Sequence, residues 1–373
     1  MAAVSRCHVL SCLVSSLAMA SYAQENTVTI GHVGPLSGAQ ASYGKDTENG
    51  VQMAIDELNQ RGITIGGRRI RFQMTSIDDG SNPKQSSAAA RSLCNLKVNG
   101  AVNSSISIAA AKIYADCGIP NITGSATDPH QTSAEQVTSF RIVANDKAQS
   151  AAVAQYIADV MKLQKVAVIA DSTAYSQGIA SHFKSAAQAK GIQVVGEASI
   201  NDEATESVGS LGIFQSSRPD IIFFAGAATQ AASLLRQLGP AGMSDMKLIA
   251  GGGVCGPELQ RGAADTSNLE NMICVESGAV LPALSGVATG RNRYESAFPN
   301  QLQARSAYTY DATKSLVEAM KRANSVDPKD YLPCLRELNF KGPTGNISFT
   351  SDGDLRNPLN TVYAFKNGKK TIV

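Results

Sequence analysis

The stretch VNSSISIAAAKIYADCGIPNITGSATDP, Val102–Pro129, decides how the chain folds. Short apolar runs at Val98–Val102 and Pro120–Ile122 read as strands, and the alanine-rich segment Ile108–Asp116 between them reads as a helix. Such a strand–helix–strand unit makes parallel neighbours. Ser104 and Ser105 follow the first strand, and Thr123, Ser125 and Thr127 follow the second. Ligands of open parallel sheets bind outside the carboxyl ends of the strands. Hydroxyls gathered there predict a polar cup for something small and charged.

The same alternation runs outward in both directions. Val28–Val33 is a strand, and Asp46–Asn59 is a helix with Val51, Ile55 and Leu58 on one face and Gly62 beyond its end. Ile70, Phe72 and Met74 alternate as in a strand. Asn82-Pro83 then supplies an N-cap and a first-turn proline. A second series starts after Asn145, with strands at 166–170, 192–198, 221–224 and 247–250 separated by helices at 148–161, 178–189, about 207–215 and 230–238. The two series echo each other. Val28–Val33 leads to Tyr43-Gly44 and a helix, and Val166–Ala170 leads to Tyr175 and a helix. The expected fold is α/β, with two doubly wound, Rossmann-like lobes facing one crevice. The tail adds a helix at Ser306–Arg322 and strands at Asn346–Phe349 and Thr361–Lys366, the late strands crossing between lobes as hinge segments.

The start of the chain reads as a secretory signal. Arg6 precedes the apolar run Val9–Ala20, and Ser21-Tyr22-Ala23 offers a small-x-small cleavage site. Cleavage is expected after Ala23, with a lipid anchor on Cys12 as the alternative. No later apolar run is long enough to span a bilayer, so a soluble exported protein is expected. Of the seven cysteines, Cys94, Cys117, Cys255, Cys274 and Cys334 remain after cleavage. An oxidising compartment permits Cys255–Cys274 and Cys94–Cys117 bridges; buried free thiols are the other reading.

Most chemistries are excluded. The formal charge is +2 and no basic stripe with interleaved aromatics occurs, which speaks against nucleic acid. There is no G-x-S-x-G elbow, no His/Cys metal spacing and no Walker motif, and only four histidines, one of them in the signal. His32, His130 and His182 read as surface or hydrogen-bonded residues. No cofactor is expected, and an exported hydrolase would lack its nucleophile–base pair. Recognition remains. Ser104 and Ser105 precede a helix N-terminus, where hydroxyls and backbone N–H groups hold a carboxylate; plain helix capping is their other reading. Tyr43, Tyr175 and Phe224 are the candidate apolar walls.

Gly31–Gly38 with Tyr43-Gly44, Ser104, Ser125-Ala126-Thr127, Asp171…Tyr175-Ser176-Gln177-Gly178, Gly253-Val254-Cys255 and the tail Gly342–Leu355 together resemble the periplasmic Leu/Ile/Val-binding family of ABC-importer receptors. The resemblance implies a type I two-lobed fold with three hinge crossings, dividing the chain into 24–145 plus 277–353 and 146–276 plus 354–373. It implies a monomer in the periplasm that binds a small carboxylate, hands it to a membrane permease and catalyses nothing. A sensor on the same fold is the alternative. Ser104, Ser125 and Thr127 would meet the ligand's carboxylate, Thr127 and the Ser125 carbonyl its amino group, and Tyr43, Tyr175 and Phe224 its sides. One departure stands out. Family members that bind amino acids place a carboxylate just before the Gly-Val pair, and here that position is Gly252. Either Glu276 substitutes, or the ligand is an ammonium-free carboxylate such as an aromatic, 2-oxo or hydroxy acid.

Overall fold

The computed structural model describes residues 26–104, 108–133, 135–200, 211–252, 254–263, 267–278, 287–299, 301–302 and 305–373. The signal segment, Ser105, Gly253 and residues 207–210 of the helix expected near 207–215 lie outside them, while Phe214–Ser217 is helical.

Two sheets organise these residues. The first contains β1 (Asn26–Gly34), β2 (Thr64–Ile65), β3 (Arg68–Asp78), β4 (Gly100–Asn103), β5 (Asn121–Thr123) and β6 (Ser139–Arg141) in the order 2-3-1-4-5-6. The second contains β7 (Lys165–Asp171), β8 (Gln193–Ile200), β9 (Ile221–Ala225), β10 (Leu248–Ala250) and β11 (Met272–Ser277) in the order 8-7-9-10-11. All of these strands pair in parallel except β2 with β3. The orders 3-1-4-5-6 and 8-7-9-10-11 are one topology used twice, so the echo between the two series is realised in space. Late strands β12 (Asn339–Gly342) and β13 (Gly345–Ser348) form a hairpin. β14 (Asn360–Lys366) then pairs antiparallel with β11, and β15 (Lys369–Ile372) pairs with β14.

Helices cover both faces of each sheet, so the central strands β4, β5, β9 and β10 are wholly buried, whereas β3 and β8 toward the sheet edges are largely half-buried or exposed. α1 (Ala41–Arg61), α2 (Pro83–Asn95), α3 (Ile108–Cys117), α4 (Asp146–Gln155) and α5 (Ala174–Ala189) follow the early strands. α6 (Ala228–Leu238), α7 (Pro257–Ala263), α8 (Val287–Ala297), α9 (Ser306–Ala323) and α10 (Pro328–Arg336) complete the set used below. α2 begins as its sequence requires, with the Asn82 side chain accepting from Lys84 N and Gln85 N and Pro83 in the first turn. α9 lies with the first sheet, its residues Tyr308, Leu316 and Met320 sharing a core with Val28, Ile30 and Phe140.

The chain leaves the first sheet after β6, enters the second through α4, and returns after β11. It crosses again between Leu355, which bridges to Phe349, and Asn360, the first residue of β14. The sequence expectation set this last boundary at 353/354. Next to that boundary, Arg141 of β6 ion-pairs with Asp354 at 2.8 Å. Ser277, expected to open the returning segment, still belongs to β11.

Disulfides join Cys94 to Cys117, with Cα atoms 6.1 Å apart, and Cys255 to Cys274, with Cα atoms 6.0 Å apart; Cys334 is free. The first links the ends of α2 and α3, and the second ties the loop after β10 to β11.

Candidate functional site

Strand order locates the crevice. In the first sheet β1 sends its chain outward to β3 on one side, while β4 lies on the other, so the switch point is between β1 and β4. In the second sheet it lies between β7 and β9 for the same reason. Loops diverge at such points and leave a hollow at the strands' carboxyl ends. Tyr43 comes after β1, Ser104 after β4, Ser125 and Thr127 after β5, Tyr175 after β7 and Gly252 after β10. Of these, Thr127 and Tyr175 line a cavity of about 440 Å³ between the lobes, with Asp79, Asn82 and Asp128 on one side and Asp146 and His182 on the other; Tyr43, Ser104, Ser125 and Gly252 are not among its lining residues.

Ser104 is buried directly beyond β4. Its Oγ lies 3.4 Å from Val33 O, a long contact that leaves the hydroxyl weakly engaged. The approach depends on Gly34, where a Cβ would sit 2.3 Å from that Oγ. The Ser125 Oγ is buried and has no hydrogen-bond partner. Its loop is held from below. The Thr123 hydroxyl accepts from Ser125 N and Ala126 N, and buried Arg141 donates to Ala126 O at 2.7 Å and Asp128 O at 2.8 Å. Thr127 meets α4, whose Asp146 N donates to Thr127 O at 2.9 Å.

Tyr175 sits in the first turn of α5. The residue is 42% exposed, but its hydroxyl donates across to Gly252 O at 3.2 Å. Burial of that hydroxyl, with Asp146 nearby, pushes the phenol's pKa up, and the charge of Arg305 pulls it back. Tyr43 is half-buried in the first turn of α1 and hydrogen-bonds Arg305.

Phe224 requires a correction. It is 0% exposed, shares an apolar core with Ile222, Leu234 and Leu238, and is not among the residues lining the cavity. Its neighbour Phe223 points to the opposite core, stacked on Phe183 at 3.9 Å. Ser105 lies outside the described residues.

Two site residues carry no warning in the sequence. Arg305 caps the start of α9, where Asp46 Oδ2 accepts from both Arg305 N and Ser306 N at 2.9 Å. Its guanidinium lies 5.9 Å from the centre of the Tyr308 ring, and its Nη1 is buried without a partner. Burial alone would lower its pKa, but Tyr43, Tyr308 and Glu276 around it more than offset that and keep it charged. Gln149 is the other. Its Oε1 accepts from Gly252 N at 2.9 Å, and its Nε2 donates to Ser277 Oγ at 3.1 Å. A Cβ on Gly252 would lie 2.9 Å from that Nε2. A carboxamide therefore occupies the room that a side chain at position 252 would need. Glu276, the expected substitute acid, pairs with Lys370 Nζ at 2.6 Å.

The architecture and its crevice define a two-lobed receptor for a small solute. The profile of the periplasmic binding protein family matches residues 27–369, and the chain belongs to that family. Members are solute-binding receptors of transporters, so the protein is not an enzyme. The leucine-, isoleucine-, valine-, threonine- and alanine-binding protein of Pseudomonas aeruginosa is 30% identical over 98% of both chains. Leucine-binding protein LivK of Thermotoga maritima superposes with a TM-score of 0.79 at 24% identity, over 93% of this chain and 97% of that one. The branched-chain substrate-binding protein LivJ of Streptococcus pneumoniae, solved with isoleucine, gives 0.77 at 23% identity over 93% and 99%. Each of these three is named for binding leucine or branched-chain amino acids, and the family implies a periplasmic location.

Proposed function

We propose that the chain, cleaved after Ala23, is the extracytoplasmic receptor of an ABC importer for a branched-chain or other small amino acid. The lobes are residues 24–145 with 277–353 and residues 146–276 with 354–373. They close over the ligand by hinge motion at the three crossings, and the closed monomer delivers it to a membrane permease. Nucleic acid and cofactors play no part.

The observation that carries this reading is a pair of buried polar atoms without a hydrogen-bond partner close to the cavity: the Ser125 hydroxyl, next in sequence to the cavity-lining Ala126, and the Arg305 Nη1, whose charge acts on the cavity-lining Tyr175. Buried polar groups are normally satisfied, and exceptions call for a ligand or a water. The Arg305 Nη1 can only donate and the Ser125 hydroxyl can donate as well as accept, so one acceptor serves both, and a carboxylate supplies enough lone pairs. The Ser104 hydroxyl, weakly held by Val33 O, is a third donor to the same group. The relatives' amino-acid specificities support a ligand of this size.

Gly252 favours a second reading, an ammonium-free carboxylate, because Gln149 is neutral and fills the space of the usual acid. A calorimetric titration of Ser125→Ala against wild type tests the common core of both. The variant should bind its best carboxylate about 10-fold more weakly, the worth of one hydrogen bond to a charged group. Unchanged affinity removes Ser125 from the site.

A further inference from the structure

We propose that Asp146 is the acceptor for the ligand's ammonium group, standing in for the carboxylate that Gly252 lacks. The inference rests on the receptor reading above and deepens it: the ligand keeps its amine.

Elimination comes first. Among the described acids near the crevice, Asp146 stands apart by a buried carboxylate oxygen that has no partner. Glu276 is neutralised by Lys370, which also donates to Cys255 O and lies 4.3 Å from the centre of the Tyr363 ring. Asp171 accepts from Thr173 N and Thr173 Oγ1 at 2.9 and 2.5 Å within its own loop. Asp79 accepts from Ser81 N at 3.0 Å, and Asp128 from His130 N and Nδ1 at 2.9 and 3.0 Å.

Asp146 is different. It is 6% exposed, it lines the cavity beside Thr127 and Tyr175, and its Oδ1 is buried with no partner. Thr127 supplies a hydrogen bond to the carboxyl group, and Arg141, His182 and Asp128 are the charged or titratable groups around it. Burial outweighs these and raises the carboxyl's pKa. The cost of an empty carboxylate of this kind falls when a cation arrives. Its position also fits. Asp146 stands where the chain crosses between lobes, with its own N–H on Thr127 O, so a ligand whose carboxylate lies on Ser125 and Arg305 would present its amine to Thr127 and Asp146 together. Three N–H donors of an ammonium would then find the Asp146 Oδ1, the Thr127 hydroxyl and the Ser125 carbonyl.

The test is calorimetry on ligand-stripped full-length mature protein and on Asp146→Asn. The probes are L-leucine, L-alanine and L-glutamate, with the 2-oxo analogue of each. The amino acid that wild type binds most tightly should lose about 10- to 100-fold in affinity in Asp146→Asn. Its 2-oxo analogue, which has no ammonium, should change less than about 3-fold or bind better. If Asp146→Asn does not fold, Asp146→Ser is scored by the same criteria. Amino-acid affinity retained within about 3-fold in the variant overturns the proposal. So does wild type binding only the 2-oxo acids, which would leave the receptor reading standing. No binding of either class by wild type overturns both.

Discussion

Replacing Arg141 by Met is expected to destabilise the first lobe and loosen the loop that carries Ser125 and Thr127. Arg141 is 0% exposed and donates to four acceptors: Asp354 Oδ1, Ala126 O, Asp128 O and Thr132 Oγ1, at 2.7–2.8 Å. Removing one partner of a buried ion pair costs about 3–5 kcal/mol, and each abandoned carbonyl about 1–3 kcal/mol. The full sum will not appear. Asp354 keeps Thr132 Oγ1 and Asn145 Nδ2, both at 2.7 Å, and its side chain is 24% exposed, so water reaches it. The carbonyls lie in a loop that can relax toward solvent. The net loss is placed at about 3–4 kcal/mol for Arg141→Met. Arg141→Lys keeps the charge but loses the planar fork that serves four acceptors, and should lose about 2 kcal/mol. Urea unfolding with unchanged m-value measures both. Losses below about 1 kcal/mol for Met, or Lys equal to wild type, would refute the claim that this guanidinium holds the loop. Ligand affinity should fall with the Met variant under folded conditions, because Thr127 is no longer fixed.

Asp311 is buried in α9 and accepts from Thr344 N and Oγ1 at 2.7 and 2.6 Å, while its Oδ1 has no partner. Burial raises its pKa from 3.8 to about 7. The unfolded chain therefore loses this proton near pH 4 and the folded chain near pH 7, so its contribution to stability is full below pH 4 and is lost as pH rises to about 7. Asp311→Asn should flatten that fall in a melting series from acid to neutral pH, and an identical slope in the variant would contradict the assignment. Gly252→Glu should fold less well than wild type because its Cβ meets Gln149 Nε2. Gln149→Ser in the same chain should restore part of the loss, and strict additivity in urea unfolding would show that the two residues do not compete for space.

Much of the fold was legible. Strict alternation in Ile70, Phe72 and Met74 located β3, and the Asn82-Pro83 signal located α2 at its first residue. Other boundaries were not. Ala41–Gly44 looked like a loop, yet α1 starts there, because Gly44 lets the helix pack onto Pro35 O, where a Cβ would stand 1.9 Å away. That contact is tertiary and leaves no local signature. Phe224 was misassigned for a related reason. Ile221-Ile222-Phe223-Phe224 is apolar throughout because both faces of β9 are covered, so no periodicity tells which aromatic faces what. The placement of Ser104, Ser125 and Thr127 after β4 and β5 was legible from residue types at strand ends. Arg305 left no local sign in the sequence, because its neighbours Tyr43, Tyr308 and Glu276 come from distant segments or from the next turn of its own helix. Asp146 did have one cue: it begins the helix at the point where the second series starts.

The most direct test of the account is thermal unfolding of ligand-stripped protein with and without small L-amino acids and their 2-oxo analogues. A ligand at about 100 times its dissociation constant adds about 2.7 kcal/mol to the folded state. The account predicts a clear upward shift with at least one branched-chain or other small amino acid, and a smaller one or none with its 2-oxo analogue. A transition that none of these ligands moves would contradict it.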